Sequence, residues 1–553
     1  MRGRTVQFLF SCLVGVVGLL APGSAAASPA DEETLKQAGL ATDAEALLQW
    51  FRDRTLTDNQ RGRILALIAR LGADAFDVRE RATADLQTEG ARAVALLRQV
   101  IGTRDADVEI VRRAETILEG LRPPSRTIAA AAARVLAGKK PANAPGVLLA
   151  FVPFADDSLV AEEVCAALAA TAVRDGLPDR TVLRGLDDPS PVRRAAAAEA
   201  LVRAGTASQR QELRRFLQDP DTQVRYQVAL AFYERKEKAA VPALIDLLAE
   251  LPADRAGRVE EVLCTIAGSQ APNAALGKDA ASRKQCRDAW QAWWGAHGAT
   301  LDLARLPDTP LLGFTLIVQI DPSNSVGKVV ELDAHRRVRW QINGLHYPVD
   351  AHVIRHDRVL IAEYSGQRVT ERNFQGEVLW EHRVHSPISV QRLADGSTFI
   401  ASHNQLLIVD AAGKERVAHS RPNHDIIAAT RLIDGQFFLV TNAGLGVRLD
   451  ATGKETKSFM AGHVHQFAGL DALPGGKILV PQVSTGKVVE FDPDGKPGWQ
   501  TAFAQASSAV RLPDGHTLVC SFNAQKIVEL DATGKPVGAE YRPDGRPWKA
   551  RKR

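Results

Sequence analysis

The chain has little cysteine and no strong excess of either charge, and each shortage excludes a class of protein. Its 553 residues include five cysteines and no Cys-x-x-Cys pair, which excludes a disulfide-built fold and a thiolate metal or redox motif. The net charge of +4 is small for this length, so we expect no nucleic-acid binding. No serine-nucleophile motif, phosphate-binding loop or dinucleotide fingerprint occurs, and no stretch after the N-terminal region reaches transmembrane length.

The first residues predict export. Arg2 and Arg4 precede an apolar run from Phe8 to Leu20, and Ala25 to Ala27 fit a small-residue cleavage site. We therefore expect residues 1–27 to be a signal peptide and the mature chain to be periplasmic or extracellular. Cys264 and Cys286, in neighbouring helical segments, either pair in such an oxidising compartment or serve as small buried apolar residues.

Histidine is absent from the whole first half, because all 13 histidines lie from His297 onward. Residues 31–300 are instead rich in Ala, Leu, Arg and Glu, with apolar residues at helical spacing. One unit recurs in segments that begin at Asp77, Asp107, Ser190 and Asp221. We expect the starting aspartates to cap helices, and the arginine after the valine in several copies to project outward.

The recurring pattern D-x-x-V-R-x-x-A-x-x-x-L resembles HEAT repeats, and the copies from Asp188 and Asp219 match it best. The resemblance implies an α-solenoid, with repeats at 31–125 and 126–300, and protein contacts along a curved face. The array ends at Trp290, Trp293 and Trp294, which share one helical face. This face is either an aromatic binding strip or, as we favour, a cap over the last repeat.

From residue 301 the pattern becomes alternating, with short Val- and Ile-rich runs broken by Asp-Gly or Gly-Gly. An anchor recurs six times at intervals of 37 to 42 residues; it ends at Asp333, Asn373, Asp410, Asp450, Asp492 and Asp531. Six units with room for four short strands each predict a six-bladed β-propeller over 301–545. We expect the basic segment 546–553 to be a frayed, solvated tail.

This half resembles six-bladed propellers of the NHL and quinoprotein-like kind, and the whole chain resembles secreted HEAT-plus-propeller proteins of the planctomycete type. The resemblance implies export and the two-part layout but supplies no activity. The segments "DATGKE" and "DATGKP" also resemble a quinoprotein turn, which we interpret as turn chemistry.

Four histidines follow the blade period. They are His346, His385, His424 and His465, at steps of 39, 39 and 41 residues. Each precedes an expected innermost strand, so all four could face one mouth of the central channel and hold a divalent metal such as Zn, Fe or Cu. We expect His352, Gln391 and Asp471 deeper in the channel, and Asp350 and Asp425 as partners that orient the imidazoles. Other histidines near turns, His356, His403 and His516, are expected to be solvated.

Two interpretations of this series stay open. A repeated histidine before the innermost strand can be purely structural, as in WD-type propellers, or it can form a metal centre similar to that of certain propeller lyases and oxygenases. We favour an exported scaffold or ligand-recognition module with a protein partner in the cell envelope. The alternative is a metal-dependent propeller enzyme, a lyase or an oxygenase.

Overall fold

The computed structural model shows the predicted order, a helical HEAT-like region followed by an all-β propeller of six blades. It describes residues 29–101, 107–121, 126–155, 158–277, 279–306, 312–321, 323, 325–355, 357–393, 396–410, 413–421, 423 and 425–553. The predicted signal peptide lies outside these residues. The chain divides into two compact units, Met1–Leu213 and Arg214–Arg553.

The first unit is built from short helices around cores of Leu, Ala and Phe. Its helices are α1 (Pro29–Gln37), α2 (Ala44–Arg52), α3 (Asp58–Arg70), α4 (Phe76–Glu89), α5 (Val94–Ile101), α6 (Val108–Leu121), α7 (Arg126–Lys139), α8 (Ala144–Phe151), α9 (Ser158–Thr171), α10 (Arg180–Gly185), α11 (Pro191–Ala204) and α12 (Ala207–Leu213). One two-stranded hairpin joins α9 to α10, with β1 (Val173–Arg174) and β2 (Leu177–Pro178).

The predicted aspartate caps are confirmed at two of the repeat starts. Asp107 accepts hydrogen bonds from the backbone N–H of Glu109 (2.8 Å) and Ile110 (3.2 Å), and Asp221 caps α13 in the same way. These bonds satisfy N–H groups that a helix start leaves free. At Asp77 the prediction is wrong, because α4 begins one residue earlier and Asp77 lies inside its first turn.

The expected outward projection of the repeat arginines is also wrong. The side chains of Arg79 and Arg225, which directly follow a valine, turn back, and so does that of Arg194, the second residue after Val192. In each, Nη1 donates to the backbone carbonyl six residues earlier, at 2.7, 2.8 and 2.8 Å. A guanidinium offers several donors in a fixed fork, so it can tie the loop before a helix to that helix. The arginine is therefore part of the repeat's own structure.

The second unit begins with four helices, α13 (Thr222–Glu234), α14 (Ala240–Glu250), α15 (Ala253–Ala267) and α16 (Ala280–His297). In α16, Trp290 and Trp293 are 1% and 6% exposed, and their rings pack edge to face with centroids 5.4 Å apart. Two rings so buried cannot form a binding strip. Across the described residues, no helix combines the length and the apolar character needed to cross a bilayer.

A buried ion cluster joins α15 to the first blade. Arg339 Nη2 lies 3.0 Å from Glu260 Oε2, and its Nη1 bonds Glu331. Arg553 bridges Glu261 (2.8 Å) and Glu331 (2.7 Å). Burial raises the pKa of Glu260 against the opposing charge of Arg339. These contacts place the last helices in one compact unit with the propeller, so the predicted boundary near residue 300 does not separate two such units.

The blades follow each other around the ring as four-stranded antiparallel sheets, with blade 6 the exception. In order from the channel outward, blade 1 consists of β25 (Arg546–Lys552), β3 (Thr315–Ile320), β4 (Val326–Leu332) and β5 (Val338–His346), and blade 2 of β6 (Pro348–Arg355), β7 (Arg358–Glu363), β8 (Arg368–Asn373) and β9 (Val378–Arg383). Blade 3 consists of β10 (Pro387–Arg392), β11 (Thr398–Ser402), β12 (Gln405–Val409) and β13 (Glu415–Ser420), and blade 4 of β14 (Ile426–Arg431), β15 (Phe437–Thr441), β16 (Leu445–Leu449) and β17 (Glu455–Met460). Blade 5 consists of β18 (Asp471–Ala472), β19 (Ile478–Gln482), β20 (Lys487–Phe491) and β21 (Pro497–Ala502), and blade 6 of β22 (Ala506–Arg511), β23 (Thr517–Ser521) and β24 (Lys526–Leu530).

The last strand closes the ring. Residues 546–552 form β25, which pairs with β3 as the innermost strand of blade 1. Trp548, Lys549 and Ala550 are each at most 3% exposed. The predicted frayed tail is therefore wrong, and the chain's last residues complete its first blade. Blade 6 has no regular fourth strand among the described residues; Tyr541 and Ile527 exchange backbone hydrogen bonds in its place.

The recurring anchor residues form tight turns between the two outer strands. Asp450 Oδ1 accepts hydrogen bonds from the N–H groups of Thr452 (2.8 Å) and Lys454 (3.0 Å), and Asp531 accepts the same pair from Thr533 (2.8 Å) and Lys535 (3.0 Å). An aspartate that caps its own turn in this way explains the "DATGK" segments as turn chemistry.

The described cysteines are free thiols. Cys286 and Cys520 are fully buried and Cys264 is half-buried, so the structure shows the buried apolar alternative rather than a Cys264–Cys286 pair. Burial raises the pKa of Cys286 to about 12 and that of Cys520 to about 12. Such thiols are unreactive at neutral pH, because the thiolate is the nucleophilic form.

Candidate functional site

One end of the propeller gathers two kinds of loop. We call this end the upper mouth, defined by residues 346–347, 364–367, 385–386, 403–404, 425 and 463–468. Loops that enter the innermost strands meet there with loops between the second and third strands. Their backbones are bonded to each other: the Tyr364 N–H donates to the Tyr347 carbonyl (2.9 Å), and the Ile426 N–H donates to the His403 carbonyl (3.1 Å). These backbone hydrogen bonds between loops fix the positions of the side chains at the mouth relative to the blades.

The predicted histidine series lies in the loops where the register placed it. His346 ends β5, and His385 and His465 precede the innermost strands of blades 3 and 5. His346 and His385 are exposed, and His465 is half-buried with its Nδ1 3.0 Å from the Gln466 carbonyl. His424 lies outside the described residues. No described member of the series makes a side-chain hydrogen bond that ties its own blade together.

The described members of the series do not form a group of three ligand atoms within 4.8 Å of one another. In the part of the chain that the structure describes, one group of three ligand atoms lies within 4.8 Å of one another, and it consists of Asp514, His516 and Glu529. His516 Nδ1 is 2.8 Å from Glu529 Oε1, and Lys552 also bonds that carboxylate. The bond to Glu529 raises the pKa of His516. This is an exposed ion-pair network at a blade turn. Its charges are paired with one another, so no metal ion is needed to account for them.

The channel below the mouth carries charges that are tightly paired. Asp350 is fully buried, with Oδ2 3.0 Å from Lys549 Nζ and Oδ1 3.0 Å from Arg551 Nη2. Burial raises the pKa of Asp350, but the charges of Lys549 and Arg551 outweigh this and hold it below its usual range. Ser389 Oγ donates to the same carboxylate (3.1 Å). Asp350 thus holds the closing strand in place.

The residues predicted deeper in the channel do share one level. His352, Gln391 and Asp471 pair with equivalent positions of the neighbouring strands, and the same register gives Thr430, Val510 and Arg551 in the other blades. Burial and the nearby Arg551 lower the pKa of His352 to about 3. Burial raises the pKa of Asp471 to about 6, although the Arg511 N–H bonds it at 2.8 Å. This ring therefore contains a neutral imidazole in blade 2 and a weakly acidic carboxyl in blade 5.

The predicted imidazole partners bind other groups. Asp350 Oδ1 is 3.8 Å from His352 Nε2 and engages the cations of β25. Asp425 holds Arg421 in a two-point pair at 3.1 and 2.9 Å, and this bond lowers the pKa of Asp425.

An aromatic layer covers the channel just inside the upper mouth. Its rings come from the strands and loops of blades 1, 2, 3, 5 and 6: Tyr347, Tyr364, His403, His465, Phe467, Phe522 and Trp548. Trp548 stacks on Phe522 with centroids 3.9 Å apart, and Phe467 meets both Tyr364 (4.8 Å) and Trp548 (5.1 Å) edge to face. Trp548 is 3% exposed, and its Nε1 finds no hydrogen-bond partner in the described part of the chain.

A cavity of about 320 Å³ opens beside this layer, between blades 2, 3 and 4. It is lined by Tyr364, His385, Ser386, His403, Asn404 and Ile427. Its volume lies at the lower end of the roughly 300–1,000 Å³ of small-molecule sites. Of the three described members of the predicted series, His385 is the one among these lining residues. The candidate site that the described residues form lies on one side of the mouth.

His403 is a candidate site residue that the histidine register missed. Its Nδ1 is 2.7 Å from the Ile426 carbonyl, and because a carbonyl only accepts, Nδ1 carries the hydrogen in the neutral ring. Nε2 is then left with a lone pair. The expectation that His403 is solvated is wrong, because it is half-buried against Tyr364. Its position directly after the fully buried strand β11 was the available signal.

Comparisons with known proteins agree with the fold. The family model described as HEAT repeats matches residues 179–264. A protein of unknown function from Bacteroides caccae is 14% identical over 43% of this chain and 97% of its own, with a TM-score of 0.36. Virginiamycin B lyase from Staphylococcus aureus is 12% identical over 41% and 84%, with a TM-score of 0.31.

BamB from Moraxella catarrhalis is 15% identical over 41% of this chain and 76% of its own, with a TM-score of 0.27. At these identities and TM-scores, the likeness carries no argument about what this chain binds or catalyses. A search of curated proteins finds no significant match.

Proposed function

We propose that the protein is an exported recognition module, in which the helical repeats bind a protein partner in the cell envelope and the upper mouth binds a small ligand. HEAT repeats and a β-propeller support an interaction or scaffold role, since both folds present extended binding surfaces on a rigid frame. The observation that carries the ligand part is the cavity between blades 2, 3 and 4, which polar and aromatic side chains line.

The cavity is better equipped for binding than for proton or acyl transfer. Among the described residues that line it there is no carboxylate, lysine or cysteine, so this lining offers neither a carboxylate pair nor the activated thiolate of a cysteine enzyme. The side chains offer hydrogen bonds and aromatic surface on rigid strands and loops. This combination is typical of a recognition pocket.

A fragment screen tests the ligand part. We expect ligand-observed NMR with a diverse library of uncharged and charged fragments to give hits that vanish in Ile427→Trp, which fills the cavity. Ile433→Trp is the matched control, because Ile433 is 75% exposed and outside the lining. Hits that survive Ile427→Trp, or an absence of hits, would contradict binding at the mouth.

Export is tested separately. When the full chain is expressed with a signal-peptide pathway intact, N-terminal sequencing of the secreted or periplasmic protein should begin at Ser28, directly after Ala27. An intracellular protein that retains Met1 would overturn this part of the proposal.

A metal-dependent enzyme, a lyase or an oxygenase, is the second candidate. The observation that favours it is that His385 and His403 line one cavity, with the Nε2 lone pair of His403 available to a metal such as Zn, Fe or Cu. Metal analysis of the purified protein should then show stoichiometric metal that is lost in His385→Ala and His424→Ala and retained in the exposed control His335→Ala. Metal-free protein would reject this candidate.

A further inference from the structure

We propose that the upper-mouth cavity binds a neutral carbohydrate, one sugar ring presented either free or at the end of a glycan. The inference rests on the proposed ligand-binding function and names its chemical class. It is carried by the charge balance, the hydrogen-bonding groups and the aromatic surface of the cavity.

The cavity and its surroundings hold no unpaired full charge in the described residues. None of the six lining side chains carries a fixed charge. The nearest ions are occupied: Arg421 is paired with Asp425 (2.9 Å), and Glu363 is paired with Arg372 (2.7 Å) as well as Arg368. A phosphate, carboxylate or ammonium ligand would lose its hydration on entering the cavity and would find no opposite charge there, which costs free energy. The site therefore favours an uncharged ligand.

The polar groups that line the cavity are both donors and acceptors with fixed directions. Ser402 Oγ donates to Asn404 Oδ1 at 2.9 Å, so the Asn404 Nδ2 group is turned to donate elsewhere. The His403 ring is fixed by its bond to the Ile426 carbonyl, which leaves Nε2 as an acceptor. Ser386 adds a hydroxyl. A sugar hydroxyl both donates and accepts, so a set of vicinal hydroxyls satisfies this mixture, whereas an apolar ligand would leave these groups without partners.

Tyr364 supplies a rigid aromatic surface on the same wall. Its ring is packed edge-on against Phe467 (4.8 Å) and His403 (5.8 Å, 80° between planes). A ring held by two neighbours loses little freedom on binding, and its amphipathic surface suits the C–H face of a sugar ring. The cavity of about 320 Å³ has room for about ten waters at roughly 30 Å³ each, which fits one hexose-sized ring with its hydroxyl groups.

The test uses the full mature chain on an array of immobilised neutral mono- and disaccharides, printed beside uronic acids and unacetylated amino sugars. We expect binding to at least one neutral sugar and none to its charged counterparts. For the best neutral sugar, calorimetric titration should show about a tenfold or larger loss of affinity in Asn404→Ala and Tyr364→Ala, and near-native affinity in Tyr364→Phe, which keeps the ring.

Asn442→Ala is the matched control, because exposed Asn442 takes the loop position in blade 4 that His403 takes in blade 3. It should leave the affinity unchanged. Preference for the charged sugars, or equal losses in Asn404→Ala and Asn442→Ala, would overturn the proposal. Fragment hits in the cavity together with no sugar binding would overturn the carbohydrate assignment while leaving the recognition function intact; absence of both would overturn both.

Discussion

The central channel and the upper mouth lie within one propeller but treat polar groups in opposite ways. In the channel, Asp350 is fully buried and its two oxygens are met by Lys549 and Arg551 at 3.0 Å each. At the mouth, Asn404 and His403 each use one side-chain atom within the protein, Oδ1 and Nδ1, which leaves the uncharged Asn404 Nδ2 and His403 Nε2 for a ligand. The comparison teaches that the polar groups of the channel hold the fold together, whereas those of the mouth are placed to bind a ligand.

The physical reason is the cost of burial. A buried charge without a partner costs several kcal/mol. Each charged group in the channel therefore needs its oppositely charged partner and is not available to bind a ligand. Neutral groups at a solvent-filled mouth can remain open, because water satisfies them until a ligand displaces it. The predictions below separate these two roles, from the largest expected effect to the smallest.

Removal of residues 546–553 is expected to have the largest effect. The deletion takes away the innermost strand of blade 1 and leaves β3 with an unpaired edge inside the ring. We expect loss of cooperative unfolding of the propeller by calorimetry and circular dichroism. A truncated chain with the native melting temperature would show that the segment is a tail after all.

Arg339→Met should be the most costly single substitution of those considered. It leaves the buried Glu260 and Glu331 without their shared cation, at an expected cost of about 3–5 kcal/mol in the free energy of unfolding. Denaturant titration checks this. Arg383→Met, at a side chain 90% exposed, should change stability by less than about 1 kcal/mol; equal effects would refute the role of the cluster.

Lys549→Met should cost about 3 kcal/mol, because Asp350 keeps Arg551 but loses its buried partner. The double variant Asp350→Asn with Lys549→Met should recover part of that loss, since both charges are then absent. Lys552→Met, on the same strand with a side chain 23% exposed, should cost less than about 1 kcal/mol. Additive losses in the double variant would mean that the two charges do not interact.

Asp471 should make stability fall as pH rises. Its folded pKa of about 6 lies above the ordinary value of 3.8, so the folded state holds the proton more tightly. The contribution of Asp471 to the free energy of unfolding is fully present at a pH below its ordinary pKa. It is lost as the pH rises through the folded-state pKa. Asp471→Asn should thus be more stable than the native chain by at most about 3 kcal/mol at about pH 7.5, with no gain at about pH 4.

Urea titrations of both proteins at the two pH values measure this difference. Asp350 is the internal comparison, because its pKa is lowered in the folded state. It therefore stabilises the fold at a pH above its ordinary pKa, and this stabilisation is lost only as the pH falls through its folded-state pKa. A gain in Asp471→Asn that is equal at both pH values would show that the carboxyl is not perturbed.

Much of the propeller was predictable because its signals are local. Four anchor aspartates, Asp333, Asp450, Asp492 and Asp531, bond N–H groups two and four residues later. The turn is therefore encoded within five consecutive residues. The loop positions of the described histidines His346, His385 and His465 follow from strand spacing in the same way. What the register could not show is direction: His346 is exposed at the end of β5 and does not line the cavity.

The closing strand and the cavity were not predictable because their partners are distant in sequence. Residues 546–553 look like a basic tail until Asp350, about 200 positions earlier, neutralises Lys549 and Arg551. Tyr364 and Asn404 stand in different blades and carry no pattern of their own. Their common wall exists only after the ring closes.

The most direct measurement is the pair of values, melting temperature and ligand affinity, for Asn404→Ala and Lys549→Met, with the best-binding fragment or sugar as the probe. The account predicts that Asn404→Ala keeps the native melting temperature and loses about tenfold or more in affinity, whereas Lys549→Met melts lower and retains native affinity per folded molecule. The reverse outcome, a destabilised Asn404→Ala with unchanged affinity, would contradict the division between a structural channel and a functional mouth.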